Sequence, residues 1–261
     1  MNSPVSTAAA GYWVVIPAAG SGKRFASVIP KQYLTVQGRS VLEWALLPFL
    51  IDQRCQGVVV TIAVDDEQWR RLFLNHPKLH VVPGGAERAD SVLAGLNELA
   101  TNSDLAAKAG DWVLVHDAAR PCLHRDDIDA LIAVAVSNEV VGAVLATPVA
   151  DTLKQADANQ RVTQTVSRAG LWRALTPQMF RLGALQIALR NANSRGVTVT
   201  DECSAMEAMG QYAKLIAGRS DNLKITMPED LNIAESILAA RNLDDTSRVA
   251  VIRDTIIRDM T

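Results

Sequence analysis

Short apolar runs alternate with amphipathic segments along most of the chain, and this alternation predicts its secondary structure. The apolar runs predict strands at residues 12–17, 57–64, 79–82, 112–116, 140–146, 213–217 and 222–226. The amphipathic segments predict helices at residues 40–50, 68–74, 89–100, 126–136, 182–191, 201–209 and about 228–241. Strands and helices that alternate at this spacing form βαβ units. We therefore predict an α/β fold with a Rossmann-like, mostly parallel sheet and helices on both faces.

The alternation stops after Thr147, where two polar, β-rich segments flank a turn at residues 156–160. This pattern predicts a protruding β-hairpin arm at about residues 148–168. An isolated two-stranded hairpin is only marginally stable in water, and this one has few apolar residues for a core of its own. We therefore expect the arm to rest on a second subunit, which makes the protein a homodimer. The alternative is a flexible hairpin on the surface that contacts no second subunit.

Length and charge narrow the class of protein. The chain has 261 residues, 49% of them hydrophobic, with 26 Lys and Arg against 28 Asp and Glu. This length suits one large domain or two small ones. We predict a single domain over residues 12–241, an N-terminal tail at 1–11, and a C-terminal tail or extra helix at 242–261. The near-neutral charge argues against a nucleic-acid binder and against polybasic membrane binding. It still allows a small anionic ligand, because such a ligand needs only a few cations in one cleft.

Cysteine usage and the first residues predict the compartment. The three cysteines, Cys55, Cys122 and Cys203, are widely spaced and form no CxxC pair, which argues against a disulfide scaffold or a zinc site. No Lys or Arg precedes Lys23, so the first apolar stretch lacks the charged region of a signal peptide. No apolar run reaches the length of a membrane span. We expect a cytoplasmic protein with free thiols and no membrane partner.

The loop after the first strand is a candidate binding site, because ligands of open parallel sheets bind beyond the carboxyl ends of the strands. Its sequence, PAAGSGKR at residues 17–24, approaches two nucleotide-binding motifs and matches neither. A GxGxxG fingerprint would need glycine where Phe25 stands, and the P-loop spacing is absent. Small residues can nevertheless surround a phosphate, with Arg24 and Lys31 supplying charge. A tight turn without a ligand is the alternative.

Three later loops carry further candidate residues. A Gly-Gly pair precedes a helix N-terminus, and Ser91 lies one turn into that helix, where it can face a base or a sugar. Asp117 ends an apolar strand, and a carboxylate in that position beside a phosphate loop is a natural Mg²⁺ ligand. We expect structural roles for the adjacent His116 and Arg120. Lys224 alternates with apolar residues just before a helix, so its side chain can point into the cleft.

In this order, the segments resemble the 2-C-methyl-D-erythritol 4-phosphate cytidylyltransferase family of the non-mevalonate isoprenoid pathway. The motifs that carry the resemblance are IPAAGSGKRF (16–25), PKQYL (30–34), GGAERADSV (84–92), VHDAARP (115–121), DTLK (151–154), TVSRAGLWRALTPQMF (165–180), TDECSA (200–205) and NLKITMPEDL (222–231). Each motif is weak on its own, whereas their ordered combination over about residues 12–240 is highly specific.

The resemblance implies a reaction between CTP and 2-C-methyl-D-erythritol 4-phosphate that forms 4-diphosphocytidyl-2-C-methyl-D-erythritol and pyrophosphate, with Mg²⁺ as cofactor. The nucleophile is then a phosphate oxygen that is already largely ionised, since the second pKa of a phosphate is about 6. A general base is therefore unnecessary. Catalysis should consist of charge neutralisation and positioning at the α-phosphorus.

The resemblance also implies roles for residues at matching motif positions. The catalytic cations are Arg24 and Lys31 at the α-phosphate, Lys224 at both substrates, and Arg168 at the acceptor phosphate in the neighbouring subunit's site. The metal ligand is Asp117. The substrate-binding residues are Ala18, Ala19, Gly20, Gly85, Ala86, Ser91 and Ala118, together with Asp151 and Thr152 on the arm.

Three alternatives stay open at this point. The same chemistry on ribitol 5-phosphate is the nearest, because that family shares the glycine-rich and HDAxRP loops. An NAD-dependent oxidoreductase is disfavoured by the incomplete glycine fingerprint and by the absence of an acidic ribose ligand. A nucleotide-binding subunit without activity is disfavoured because Arg24, Lys31, Asp117 and Lys224 are all present.

Overall fold

A mixed seven-stranded sheet forms the centre of the protein. The computed structural model describes residues 11–20, 29–72, 74–135 and 140–244. The strands of the sheet are β1 (Tyr12–Pro17), β4 (Cys55–Ile62), β5 (Leu79–Pro83), β6 (Trp112–Val115), β7 (Gly142–Pro148), β10 (Trp172–Arg181) and β11 (Lys214–Ala217). They lie in the order β11–β7–β10–β6–β1–β4–β5. Two short antiparallel pairs accompany the sheet, β2 (Thr35–Val36) with β3 (Arg39–Ser40), and β8 (Leu153–Ala156) with β9 (Val162–Val166).

The sheet is mostly parallel, as predicted. β1 pairs in parallel with β4 and β6, β4 with β5, and β7 with β11. β10 is the exception, since it lies antiparallel between β6 and β7. The hydrophobic pattern predicts no strand between the arm and residue 182, so β10 was not expected.

Helices cover both faces of the sheet, and alternate residues of β1 show the division. Tyr12, Val14 and Ile16 pack with α1 (Val41–Leu50) and α4 (Arg125–Ala135). Trp13 and Val15 point to the opposite face, where three other helices pack. These helices are α3 (Arg88–Thr101), α5 (Leu182–Ser194) and α6 (Glu202–Glu207). A strand buried on both faces must be apolar at every position, which explains the uninterrupted run that predicted β1.

Two further helices, one of them packed against the same core as α1 and α4, complete the described set. The short α2 (Glu67–Arg71) follows β4, and α7 (Glu229–Asp244) ends the described part of the chain. Ala234 and Leu238 of α7 pack with Val36 and Trp44 in a small separate core. The predicted tail therefore begins as a continuation of α7, and the rest of it lies outside the described residues. Within the ranges described, no helix is long and apolar enough to cross a membrane.

The predicted hairpin arm is present. β8 and β9 pair from Leu153 opposite Val166 to Ala156 opposite Val162. Asp157 closes the turn, because its carboxylate accepts hydrogen bonds from the backbone amides of Asn159 and Arg161, both at 2.9 Å. Nearly all residues of both strands are exposed in the single chain. The arm thus has no core of its own, and its contact with a second subunit stays a prediction.

One predicted strand is wrong. Residues 222–226 run past the end of β6 without joining the sheet. The Ile225 amide donates to the carbonyl of Ala119 at 2.8 Å, and the side chain of Asn222 donates to the carbonyl of Thr176 at 2.8 Å. Alternating apolar residues here reflect burial of Ile225 under α7 rather than pairing in a ladder.

Candidate active site

A cavity of about 630 Å³ opens at the carboxyl ends of β1, β5 and β6. Its walls come from the loops after these strands, from the 3₁₀ turn Lys31–Tyr33 and from the segment before α7. The lining residues are Pro17, Ala18, Ala19, Gly20, Lys31, Gln32, Gly85, Ala86, Glu87, Arg88, Ser91, Asp117, Ala118, Ala119, Lys224 and Thr226. This is the edge at which ligands of open α/β sheets bind.

Most of the predicted site residues meet in this cavity. Those that line it are Ala18, Ala19, Gly20, Lys31, Gly85, Ala86, Ser91, Asp117, Ala118 and Lys224. Arg24 lies outside the described residues. Asp151, Thr152 and Arg168 are exposed at the base of the arm, away from the cavity walls of their own chain. The acceptor role predicted for these three thus needs the arm of another subunit.

Gln32 fixes the described start of the first loop, residues 17–20. Its side-chain amide donates to the carbonyls of Ala18 at 2.9 Å and Gly20 at 3.1 Å. The Ala18 amide donates to the carbonyl of Thr61 at 2.7 Å, which ties the loop to the end of β4. Gln32 is buried, so these bonds lie out of water. Residues 17–20, the described start of the loop, therefore have a defined shape before a ligand binds.

Ser91 fixes the second loop. Its hydroxyl accepts from the Gly85 amide at 3.1 Å and donates to the carbonyl of Glu87 at 3.1 Å. A Cβ atom on Gly84 would lie 2.6 Å from the Cβ of Ala19, so the first and second loops touch where glycine stands. Ser91 lines the cavity as predicted, but its hydroxyl already holds the loop backbone.

Asp117 lies at the centre of a buried charge cluster. Its carboxylate contacts Lys224 Nζ at 2.9 Å, Arg88 Nε at 3.0 Å and Arg120 Nε at 3.4 Å. Burial alone would raise the pKa of Asp117, but the charges of Arg88, Lys224 and Arg120 outweigh it and hold this pKa far below its ordinary value. Asp117 is therefore ionised throughout the physiological range.

Both lysines that line the cavity are held by protein oxygens. Lys31 Nζ donates to the carbonyl of Ile225 at 2.8 Å, and Lys224 contacts Asp117. Asp230 holds the segment that follows Lys224 and Ile225, because its carboxylate accepts from the backbone amides of Thr226 at 2.7 Å and Met227 at 2.8 Å. Two ammonium groups thus have defined positions at one cavity, which suits a polyanionic ligand.

His116 and Arg120 have the structural roles predicted for them. The buried His116 ring lies 3.0 Å from Thr176 Oγ1 and 3.1 Å from the carbonyl of Arg120. Because a carbonyl oxygen only accepts, His116 Nε2–H donates to Arg120, and Nδ1 of the neutral ring accepts from the hydroxyl of Thr176, whose oxygen accepts from the Asp117 amide. Burial lowers the pKa of His116 to about 4. A neutral imidazole therefore connects the Asp117 loop to β10.

Several residues around the cavity were not predicted. Gln32, Arg88, Glu87 and Thr226 line it, and Thr176 supports it from β10. Gln32 and Arg88 belong to the PKQYL and GGAERADSV segments, which marked the region without indicating these side chains. Their roles depend on partners distant in sequence, which local patterns do not reveal.

Fold and cavity together define a nucleotidyltransferase: an α/β protein whose glycine- and alanine-rich loops meet two lysines at the carboxyl edge of the sheet. The model of the family 2-C-methyl-D-erythritol 4-phosphate cytidylyltransferase matches residues 12–240. The chain belongs to this family.

Relatives and solved structures agree with that assignment. The chain is 56% identical over 223 residues to the 2-C-methyl-D-erythritol 4-phosphate cytidylyltransferase of Ectopseudomonas mendocina (strain ymp), covering 84% of this chain and 92% of the relative. It is 52% identical over 222 residues to that of Pseudomonas aeruginosa (strain UCBPP-PA14), covering 84% and 93%. The crystal structure of the Francisella tularensis enzyme superposes with a TM-score of 0.75 at 35% identity, over 87% of this chain and all of that one.

Proposed function

We infer that this chain transfers the cytidylyl group of CTP to 2-C-methyl-D-erythritol 4-phosphate and releases pyrophosphate. Family membership defines the reaction, and the observation that carries it in the structure is the pair of anchored lysines, Lys31 and Lys224, at a cavity with small-residue walls. The product is 4-diphosphocytidyl-2-C-methyl-D-erythritol, an intermediate of the non-mevalonate isoprenoid pathway.

The chemistry asks for cations rather than for a base. An oxygen of the acceptor phosphate is the nucleophile, and it needs no base because the phosphate, with a second pKa of about 6, is largely ionised at neutral pH. The barrier comes from bringing two polyanions together while charge builds at the α-phosphorus. Lys31 would stabilise that charge, Lys224 would neutralise both substrates, and Arg24 would add a third cation from the first loop. The buried neutral His116 is unsuited to proton transfer here, because both of its nitrogens are engaged.

Different loops would bind different parts of the nucleotide. Ala19 and Gly20 would offer backbone amides to the phosphates, and Ala18, whose own amide is bonded to Thr61, would line the cavity beside them. Gly85, Ala86, Ser91 and Ala118 would enclose the base and ribose, since all four line the same cavity. Bulkier residues would fill this space. Recognition would then rest largely on backbone groups.

Asp117 fits a magnesium ion that arrives with the nucleotide. Mg²⁺ usually takes one or two carboxylates and completes its shell with substrate phosphates and water. Asp117 supplies one carboxylate at the cavity wall, and the described residues contain no cluster of three or more metal-binding side chains. When bound, the ion would supply Lewis-acid stabilisation of phosphate charge. Among the cations at Asp117, Lys224 has the most exposed side chain and could vacate an oxygen most easily.

The arm would complete the site of a second subunit in a homodimer. Arg168 and Thr152 are exposed at its base and would grip the acceptor phosphate, with Asp151 beside them. Exposed Leu171 and Trp172 follow the arm and offer apolar surface for the partner. We place the enzyme in the cytoplasm, because Cys55, Cys122 and Cys203 are free thiols, as a reducing compartment requires.

A matrix of nucleoside triphosphates against sugar phosphates, scored by pyrophosphate release in the presence of Mg²⁺, tests the proposal. We expect release only with CTP and 2-C-methyl-D-erythritol 4-phosphate together. Turnover with ribitol 5-phosphate instead would show that the protein has the activity of the ribitol 5-phosphate family. No release with any pair would leave a nucleotide-binding protein without this activity. The Lys31→Ala variant provides the control for contaminating enzymes.

A further inference from the structure

Arg88 joins two buried carboxylates that lie on different elements. Its Nε donates to Asp117 Oδ1 at 3.0 Å, while Nη1 and Nη2 donate to the two oxygens of Glu202 at 2.7 and 3.1 Å. The side chain of Glu202 is only 1% exposed. Bidentate pairs of this kind fix the plane of the guanidinium. One arginine at the start of α3 therefore connects α6 to the loop after β6.

Glu202 is itself held in place. It lies in the first turn of α6, where Asp201 accepts from the Ser204 amide at 2.9 Å and from Gln178 Nε2 at 2.9 Å. The Cys203 amide returns a hydrogen bond to Gln178 Oε1 at 2.9 Å. Gln178 belongs to β10, which lies next to β6, the central strand of the sheet. The helical turn that carries Glu202 is thus tied to β10 through the residues on either side of Glu202.

The charges of this cluster leave one positive charge in excess. Asp117 and Glu202 carry two negative charges, and Arg88, Arg120 and Lys224 carry three positive ones. The side chains of Arg88, Arg120 and Lys224 are 29%, 10% and 39% exposed, so the excess charge is most accessible at Lys224. Arg88 and Arg120 together balance the charges of Asp117 and Glu202, so Lys224 can turn to an incoming phosphate without leaving an unpaired buried carboxylate.

We propose that Arg88 and Glu202 are positioning residues for Lys224, acting through Asp117. Glu202 orients the guanidinium, the guanidinium fixes and compensates Asp117, and Asp117 presents the Lys224 ammonium to the substrates. This assignment rests on the proposed role of Lys224 and gives the TDECSA segment a function in catalysis. Without Arg88, Asp117 would either lose its orientation or retain Lys224 as its main counterion, and the phosphates would lose charge in both cases.

A double variant tests the proposal without leaving a buried charge unpaired. Arg88→Met alone strands the Glu202 carboxylate, so the variant to use is Arg88→Met/Glu202→Gln. We expect it to fold and to lose about 10²-fold in kcat, with the KM for CTP nearly unchanged, because misplaced catalytic groups act on the chemical step. The control is Arg54→Met/Asp52→Asn, which removes another buried bidentate pair away from the cavity. It should lower thermal stability and leave kcat unchanged.

Additivity with Lys224→Ala separates positioning from a general effect. If Arg88 and Glu202 act through Lys224, the double variant costs little further kcat in a Lys224→Ala background. Fully additive losses, an unchanged kcat in Arg88→Met/Glu202→Gln, or an equal loss in the Arg54 control would each overturn the proposal. An unchanged kcat in Lys224→Ala alone would instead overturn the role of Lys224, so the two failures are distinguishable.

Discussion

Anchored lysines are the residue-level basis of the proposed catalysis. Lys31 donates to the carbonyl of Ile225, Lys224 forms an ion pair with Asp117, and both lysines line the cavity. Such preorganised charge costs little reorganisation when the transition state forms. A flexible lysine in solvent would supply the same charge at a much higher entropic cost.

We predict that Lys31→Ala lowers kcat by about 10²–10³-fold, the usual cost of losing one electrostatic stabiliser. Lys78→Ala is the matched control, because Lys78 Nζ also donates to a backbone carbonyl, that of Asp52, at 2.7 Å and away from the cavity. Steady-state pyrophosphate release measures both variants. Near-normal turnover of Lys31→Ala would remove this lysine from the mechanism.

Stability should depend on pH through His116. Burial lowers its pKa from 6.5 to about 4, so the unfolded chain binds this proton before the folded protein does. The free energy of unfolding should therefore fall as the pH drops from about 6.5 to about 4, by an amount on the order of 3 kcal/mol, and change little from this cause above that window. Urea unfolding of the protein and of His116→Gln, at about pH 7.5 and pH 5, measures the effect. An equal loss of unfolding free energy in both proteins would mean that groups other than His116 cause the pH dependence.

Contact between two loops makes Gly84 sensitive to substitution. A Cβ atom there would lie 2.6 Å from Ala19 Cβ and 2.8 Å from Ser91 Oγ, so Gly84→Ala must push the loops apart. We predict a KM for CTP raised by about tenfold or more, equivalent to about 1.4 kcal/mol. Gly110→Ala is the control, since a Cβ atom at Gly110 meets no atom within 4 Å. An unchanged KM in Gly84→Ala would show that these loops do not shape the nucleotide site.

At the scale of elements, buried parallel strands were predictable and the antiparallel one was not. β1 and β6 are apolar at every position because both faces are covered, and such runs stand out in a sequence. β10 begins with exposed residues, Trp172 to Ala174, and contains Pro177, which argues against a central strand. Its register with β7 shifts between Ala174 and Gln178, which accommodates the proline. That adjustment requires the neighbouring strand and leaves no local signature.

The residues of the candidate site were likewise predictable only in part. The glycines, alanines and charged residues at strand ends could be predicted as site residues because the strands themselves could be predicted. Arg88 and Glu202 are 114 residues apart, and neither residue alone indicates the other. Gln32 likewise appears as an ordinary polar residue until the first loop folds over it. Side chains that support a site are therefore harder to predict than the loops that form it.

Packing between β7 and β10 leaves no room beyond hydrogen at Gly142. A Cβ atom there would overlap the ring of Phe180 and lie 2.6 Å from the carbonyl of Met179. We predict that Gly142→Ala lowers the free energy of unfolding by about 1–3 kcal/mol, as overpacking does in other cores. Chemical denaturation measures the loss, with Gly110→Ala as the unhindered comparison. Wild-type stability in Gly142→Ala would mean that β10 moves freely against β7.

At the scale of the whole molecule, the exposed arm leads us to predict active sites that are shared between the two subunits of a dimer. We expect Arg168→Ala to raise the KM for the acceptor while leaving the KM for CTP nearly unchanged. Mixing it with Lys31→Ala should restore activity, because in a mixed dimer one intact cavity receives one intact arm. Exchange of subunits followed by a pyrophosphate assay measures the recovery. A monomeric, fully active protein, or a mixture no more active than its parts, would reject the shared site.

The position of β10 also bears on the order in which the fold can be completed. β6 and β7 are separated in space by a strand that is synthesised after both of them. Until residue 181 has left the ribosome, β6 ends the first half of the sheet as an open edge, and β7 has no partner. Open edges of this kind invite pairing with other chains. The nascent chain therefore passes through a stage in which the edge of β6 is open to such pairing, and this stage ends when β10 fills the gap between β6 and β7.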